Sequence, residues 1–82
     1  MEIGPDKEVL IKLVTMRMPF GKYKGALLCD LPEHYLVWFD NKGFPPGKLG
    51  EYMANVLVIK ANGLDKMFYQ LKKIAAKRRS HE

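Results

Sequence analysis

The chain has 82 residues, of which 48% are hydrophobic, and its 14 Lys and Arg against 9 Asp and Glu give a net charge of +5. This length and apolar content argue against a disordered chain and predict a single small domain over residues 1–82. Its ordered core is expected at about 5–78, with a frayed tail at 79–82. The positive charge favours acidic partners such as nucleic acid, although many small soluble domains carry a similar charge without one.

The cysteine and terminal patterns limit the class of protein. Cys29 is the single cysteine, which excludes an intrachain disulfide and a cysteine-rich zinc site. Its apolar surroundings predict a buried structural thiol. The N-terminal residues lack the basic and apolar regions of a signal peptide, and no apolar run approaches the ~20 residues of a transmembrane helix. These features predict a cytoplasmic protein with no membrane contact.

Apolar periodicity predicts four helices. They are expected at about residues 5–14, 32–41, 47–62 and 64–79. Pro5 suits the first helical position of the first helix, and Asp30 is the expected N-cap before the second. The third should be the most buried helix, because its apolar residues surround it. Trp38, on the second helix, is expected in the core.

Residues 18–25 combine two glycines, two lysines, two aromatic residues and a proline, a composition found nowhere else in the chain. Methionines alternate with Arg17 before this stretch, and apolar residues at 26–28 follow it. That pattern is typical of two short strands joined by a glycine-bearing loop. The expected fold is therefore a mainly helical α+β domain, with four helices and one short β-hairpin. Phe20 is expected in the core and Tyr23 half-buried.

No group of residues in the sequence predicts a reaction. His34 and His81 have no paired ligand spacing, and the nearby carboxylates Asp30 and Glu33 are explained by the start of a helix. The glycines of the basic stretch lack the Gly-Lys-Ser/Thr ending of a phosphate-binding P-loop. The sequence therefore predicts a protein that is not an enzyme and that holds no metal or cofactor.

The basic stretch suits phosphate binding, because flexible cations and close backbone N–H groups both contact phosphates. Arg17, Lys22 and Lys24 are the expected phosphate contacts, and Tyr23 is placed to stack on a base of DNA or RNA. The cations expected to extend this surface are Lys48, Lys72, Lys73 and Lys77. For those on the last helix, a solvated face that complements the helix dipole is the alternative explanation.

A second function is open on the sequence, that of a protein-interaction or regulatory module. Residues 44–47, Phe-Pro-Pro-Gly, form a rigid turn because two prolines cannot continue a helix. In this hypothesis the turn at Phe44, Pro45 and Pro46 meets a partner protein, and the glycine-lysine motif serves only the fold. The sequence does not fix the oligomeric state.

Several motifs in combination resemble a small bacterial family, the quorum-sensing-regulated virulence factors, whose domain has no known function. They lie at residues 18–25, 31–32, 35–39, 43–45 and 47–50, and the resemblance covers about 6–71. The basic stretch is also similar to a module at the C-terminal end of exodeoxyribonuclease X-like proteins. The acidic metal-binding residues of that nuclease are not found here, so the resemblance implies only an accessory module, with Lys22, Tyr23 and Lys24 holding nucleic acid.

Overall fold

The computed structural model describes residues 7–80, with side chains as far as Arg78. The elements are α1 (Lys7–Thr15), a 3₁₀ turn (Leu28–Asp30), α2 (Glu33–Lys42), α3 (Lys48–Ala61) and α4 (Lys66–Ser80). Helices α1 and α3 pack on each other, α4 lies mainly on α1, and α2 lies mainly on α3. This arrangement makes α2 and α4 the outer helices of the bundle.

The predicted β-hairpin is wrong. Among residues 7–80 no strand forms, and the extended pairing is limited to one antiparallel bridge between Arg17 and Leu27. The fold of the described chain is therefore all-α, and the α+β expectation is corrected.

Hydrogen bonding at Met18 explains why the pairing stops. The Met18 carbonyl accepts the N–H of Gly25 at 2.8 Å, while the Met18 N–H donates to the carbonyl of Ala26 at 2.7 Å. Gly25 and Ala26 are thus both paired with Met18, as in a β-bulge, and the regular ladder of hydrogen bonds is broken. Beyond the bulge Pro19 has no N–H to donate, so the pairing cannot resume in that direction. Residues 18–25, called the basic turn below, are consequently a structured loop.

The four helices occupy nearly the predicted positions. Helix α2 begins after Pro32, and Asp30 lies in the 3₁₀ turn, so the Asp30 N-cap prediction is wrong. Helix α3 ends at the predicted signal, with Asn62 as its cap and Gly63 at φ +68°. The predicted start of the first helix at Pro5 lies outside the described residues, as do residues 81–82. None of the helices within 7–80 is long and apolar enough to cross a membrane.

The core draws apolar side chains from all four helices and from the loop before α2. Its fully buried large side chains are Leu13, Met18, Leu28, Leu31, Leu36, Met53 and Val56. Helix α3 buries more residues than any other described helix, as its pattern predicts. No polar or charged side chain of the described residues is buried, so the interior is held by apolar packing alone.

Helix α3 meets the turn before it at Gly50, which is buried. A Cβ at this position would collide with the carbonyl oxygen of Pro45, and would also lie 3.1 Å from its carbonyl carbon and 3.3 Å from the Cβ of Phe44. The backbone of the 44–46 turn therefore packs on the helix at a place where only glycine fits. The rigid turn has a structural role in the fold.

Candidate nucleic-acid interface

The basic turn is held in one conformation by its glycines and by hydrogen bonds within it. Gly21 and Gly25 have φ values of +80° and +92°, which side-chain-bearing residues rarely adopt. The Lys24 N–H donates to the Gly21 carbonyl at 3.1 Å, and the Ala26 N–H donates to that of Tyr23 at 3.0 Å. Both glycines are thus required by the turn itself.

Arg17 contributes to the same turn from the segment before it. Its Nη1 donates to the carbonyl oxygen of Gly25 at 2.8 Å, so one predicted phosphate contact also has a structural partner. The guanidinium is exposed and carries five N–H donors. Arg17 can therefore hold the turn and still offer donors to a ligand.

The central residues of the basic turn combine exposed charge with a fixed ring. Lys22 and Lys24 are exposed, and Tyr23 between them is half-buried, as predicted. The Lys22 Nζ lies 5.6 Å from the centroid of the Tyr23 ring, within the range of a cation–π contact. The Tyr23 ring also packs edge to face against the ring of Tyr35 on α2, at a centroid distance of 4.6 Å. The turn is therefore docked on α2.

Tyr23 is the first member of a row of aromatic rings that sequence reasoning missed. We call Tyr23, Tyr35, Phe39, Trp38 and Phe44 the aromatic row. Centroid distances are 5.1 Å from Tyr35 to Phe39, 5.0 Å from Phe39 to Trp38 and 6.5 Å from Phe39 to Phe44. The spacing of Tyr35, Trp38 and Phe39 on one helix was the available signal. Their contacts with Tyr23 and Phe44 join distant segments of the chain, which no local pattern shows.

The predictions that Phe20 and Trp38 lie in the core are wrong. Their side chains are 43% and 53% exposed. Helix α2 buries Leu36 and half-buries its neighbours Tyr35 and Phe39, while Trp38 lies beyond them at the outer edge of the row. Two large aromatic side chains that the sequence assigned to the interior are therefore available at the surface.

Charged residues on α2 are divided between two faces. His34 and Lys42 lie four residues before and after Trp38, so all three share one face of the helix, and all are exposed. Glu33 and Asp40 lie on the other exposed face, around Val37. The face that carries Trp38 consequently holds one lysine and no carboxylate.

The remaining predicted cations lie on other elements. Lys48, at the start of α3, is 3.9 Å from Glu51, and its side chain is 77% exposed, so this ion pair is weak. Lys72 on α4 lies 3.9 Å from Asp30, while Lys73 and Lys77 line an open groove on the same helix. The contacts of the basic turn run to α2, whereas α4 lies on α1. The structure therefore joins Lys22, Tyr23 and Lys24 with α2, and places the α4 lysines on a separate helix.

Cys29 is buried, as predicted, beneath a polar cleft of about 290 Å³. Burial raises the pKa of its thiol, and the nearby Asp30 carboxylate adds to the rise, against smaller opposing effects of Lys72 and Lys60. No group of three or more metal-ligating side chains occurs in the described part of the chain. The thiol is thus a core group with little thiolate character.

Cys29 is expected to react slowly with thiol reagents. At mildly alkaline pH, an aromatic disulfide reagent should label the native protein roughly tenfold more slowly than the unfolded protein, because burial and the raised pKa both suppress the thiolate. Spectrophotometric labelling with and without denaturant measures this ratio. Equal rates would contradict the buried position of the thiol.

Comparison with known proteins identifies the family but no activity. A family model described as "Putative quorum-sensing-regulated virulence factor" matches residues 6–71. Uncharacterized proteins YpeB of Escherichia coli strains K12 and O157:H7 are each 54% identical to this chain over 69 residues, covering 83% of the chain and 96% of each relative. No solved structure matches significantly. The chain belongs to this family, as its motifs indicated, and its likeness to the exodeoxyribonuclease X module stays a prediction.

Proposed function

We propose that this member of the quorum-sensing-regulated virulence factor family is a non-catalytic nucleic-acid-binding module. The observation that carries the proposal is the docking of the basic turn on α2 through Tyr23 and Tyr35. This contact fixes the turn that carries the exposed Lys22 and Lys24 to the helix that carries the exposed ring of Trp38. Cations for phosphates and rings for bases are the two elements of sequence-tolerant nucleic-acid binding.

The rigidity of the basic turn supports phosphate binding. Its backbone is fixed by internal hydrogen bonds and by the Arg17 contact to Gly25, so binding orders only the lysine side chains. Less conformational entropy is then lost on association than for a mobile loop. Lys22 and Lys24 are the primary phosphate contacts in this proposal, with Arg17 adding donors from the base of the turn.

Lysines on α4 have a secondary role in the proposal. Lys72, Lys73 and Lys77 contribute to the field that attracts a polyanion, but they lie on the helix that packs on α1. Charges farther apart than about 8–10 Å are largely screened at physiological ionic strength. The α4 lysines should therefore matter most at low salt. Lys48 supplies a further exposed cation at the start of α3.

A salt-titrated binding assay tests the proposal. Fluorescence anisotropy of a labelled single-stranded oligonucleotide should show binding at low salt. The logarithm of the affinity should fall linearly with the logarithm of the salt concentration, because phosphate contacts release counterions. The absence of binding at low salt would contradict the proposal.

The alternative function, contact between the 44–46 turn and a partner protein, has less support. The backbone of this turn packs on Gly50, and Phe44 stacks on Phe39 at the end of the aromatic row. Both contacts give the turn a role inside the domain. Pro46 is its exposed residue and would be the point of contact with a partner.

A further inference from the structure

We propose that the ligand is a single strand and that Trp38 is the residue that stacks on one of its bases. This inference rests on the proposed function and specifies its substrate class. The sequence assigned the stacking role to Tyr23 and placed Trp38 in the core. The exposure and ring contacts of the two residues favour the opposite arrangement.

Trp38 combines exposure with a fixed position. Its side chain is 53% exposed, and its ring meets that of Phe39 at 5.0 Å and 84°. The contact with Phe39 limits the movement of the indole, so stacking a base on it costs little conformational entropy. Phe39 is itself half-buried and held by Tyr35 and Phe44. The indole is therefore an exposed ring that is held in place by Phe39.

Tyr23 is less available than Trp38. It is half-buried, its ring is approached by the Lys22 ammonium at 5.6 Å, and its contact with Tyr35 fastens the basic turn to α2. A base that stacked on Tyr23 would compete with the lysine for the ring. Tyr23 is therefore placed as a positioning residue that sets the basic turn beside α2.

A continuous path connects the phosphate contacts with Trp38. Tyr35 touches Tyr23 of the turn, and Tyr35 and Trp38 are three residues apart on α2, which makes them neighbours on its surface. His34 and Lys42 lie one turn on either side of Trp38. A strand that leaves the basic turn along α2 thus meets the Lys42 ammonium for its backbone and the Trp38 ring for its bases.

The stacking role selects single strands. In a duplex the face of each base is covered by the next base pair, and a ring on a helix surface cannot reach it without unstacking the pair. In a single strand the faces are open, and stacking on an aromatic side chain is tolerant of sequence. A duplex can therefore engage the lysines but not the indole.

Charge argues against a protein partner at the same place. An exposed tryptophan is also common at protein interfaces. The Trp38 face of α2 carries His34 and Lys42, and the carboxylates of Glu33 and Asp40 lie on the Val37 face. The exposed Trp38 ring thus lies on the face of α2 that has no carboxylates, and a polyanion can approach it there.

Intrinsic fluorescence provides a direct test, because Trp38 is the sole tryptophan of the chain. The full chain is titrated at low salt with oligothymidylate, a duplex of equal length and inorganic polyphosphate, and affinity is measured in parallel by competition. Oligothymidylate is expected to quench Trp38, whereas the duplex and polyphosphate should bind with little quenching. Trp38→Ala should weaken oligothymidylate binding about tenfold and leave polyphosphate binding unchanged.

Val37→Ala is the matched control, since it removes an exposed apolar side chain from the other face of α2 and should change neither affinity nor quenching. Quenching in the parent protein does not depend on any variant folding correctly. Oligothymidylate binding without quenching, or with unchanged affinity in Trp38→Ala, would overturn the inference and leave the proposed function intact. Equal quenching by polyphosphate would also overturn it. No binding of any of the three polyanions would overturn the proposed function as well.

Discussion

Gly50→Ala is expected to destabilise the fold by about 1–3 kcal/mol or more, the usual cost of forcing an added methyl group into a packed interior. The added Cβ would collide with the carbonyl oxygen of Pro45, and backbone cannot move aside as a flexible side chain can. Helix propensity acts in the opposite direction, since alanine is favoured over glycine by about 1 kcal/mol in a helix interior. The sign of the measured change therefore shows which effect dominates. Chemical denaturation followed by circular dichroism gives the free energy of unfolding.

Val58→Ala serves as the control for Gly50→Ala. Val58 lies on the same helix but is 59% exposed, so its truncation should change the free energy of unfolding by no more than about 0.5 kcal/mol. A Gly50→Ala protein as stable as the parent would show that α3 and the 44–46 turn are not in close contact. The structural role assigned to that turn would then fail, and its role as a partner surface would gain support.

Removing both lysines of the basic turn, Lys22→Ala with Lys24→Ala, should weaken single-strand binding about tenfold at low salt. The slope of log affinity against log salt should become shallower by about 1.4, because each phosphate contact on a single strand contributes about 0.7. Both side chains are exposed, so the fold should be unaffected. Anisotropy titrations over a range of salt concentrations measure the slope and the affinity together.

The matched variant removes two lysines from α4, Lys73→Ala with Lys77→Ala, and so loses the same charge. The slope of log affinity against log salt should change less in this variant than in the Lys22 and Lys24 variant. In the proposal Lys73 and Lys77 make no direct phosphate contact and act only through a long-range field that salt screens. Equal changes in the two variants would show that binding depends on net charge alone. The basic turn would then have no special part in recognition.

Helix positions could be predicted because their signals are local. Apolar spacing, Pro32 before α2 and the Asn62-Gly63 end of α3 lie within the elements that they define. Local signals could not decide whether the predicted hairpin forms. Its extent depends on whether two segments stay in register, and a one-residue mismatch at Met18 ends the pairing. Alternating residues showed that the segments were extended but not how far they would pair.

The candidate site was predicted only in part, because it too depends on contacts between distant segments of the chain. Composition alone picked out Lys22, Tyr23 and Lys24, which the structure places together on one turn. The contact of Tyr23 with Tyr35 and the fit of Gly50 against Pro45 join segments that are separate in the sequence. Trp38 was assigned to the core because tryptophan is usually well buried, yet its angular position on α2 lies outside the buried stripe.

Amide chemical-shift mapping with a single-stranded oligonucleotide tests most directly whether the basic turn and α2 form one binding surface. A protein of 82 residues is well suited to this measurement by NMR. The largest shifts are expected within the basic turn, along α2 from His34 to Lys42, and at the indole N–H of Trp38. Shifts confined to α4 or to the 44–46 turn, with the indole signal unmoved, would contradict the account.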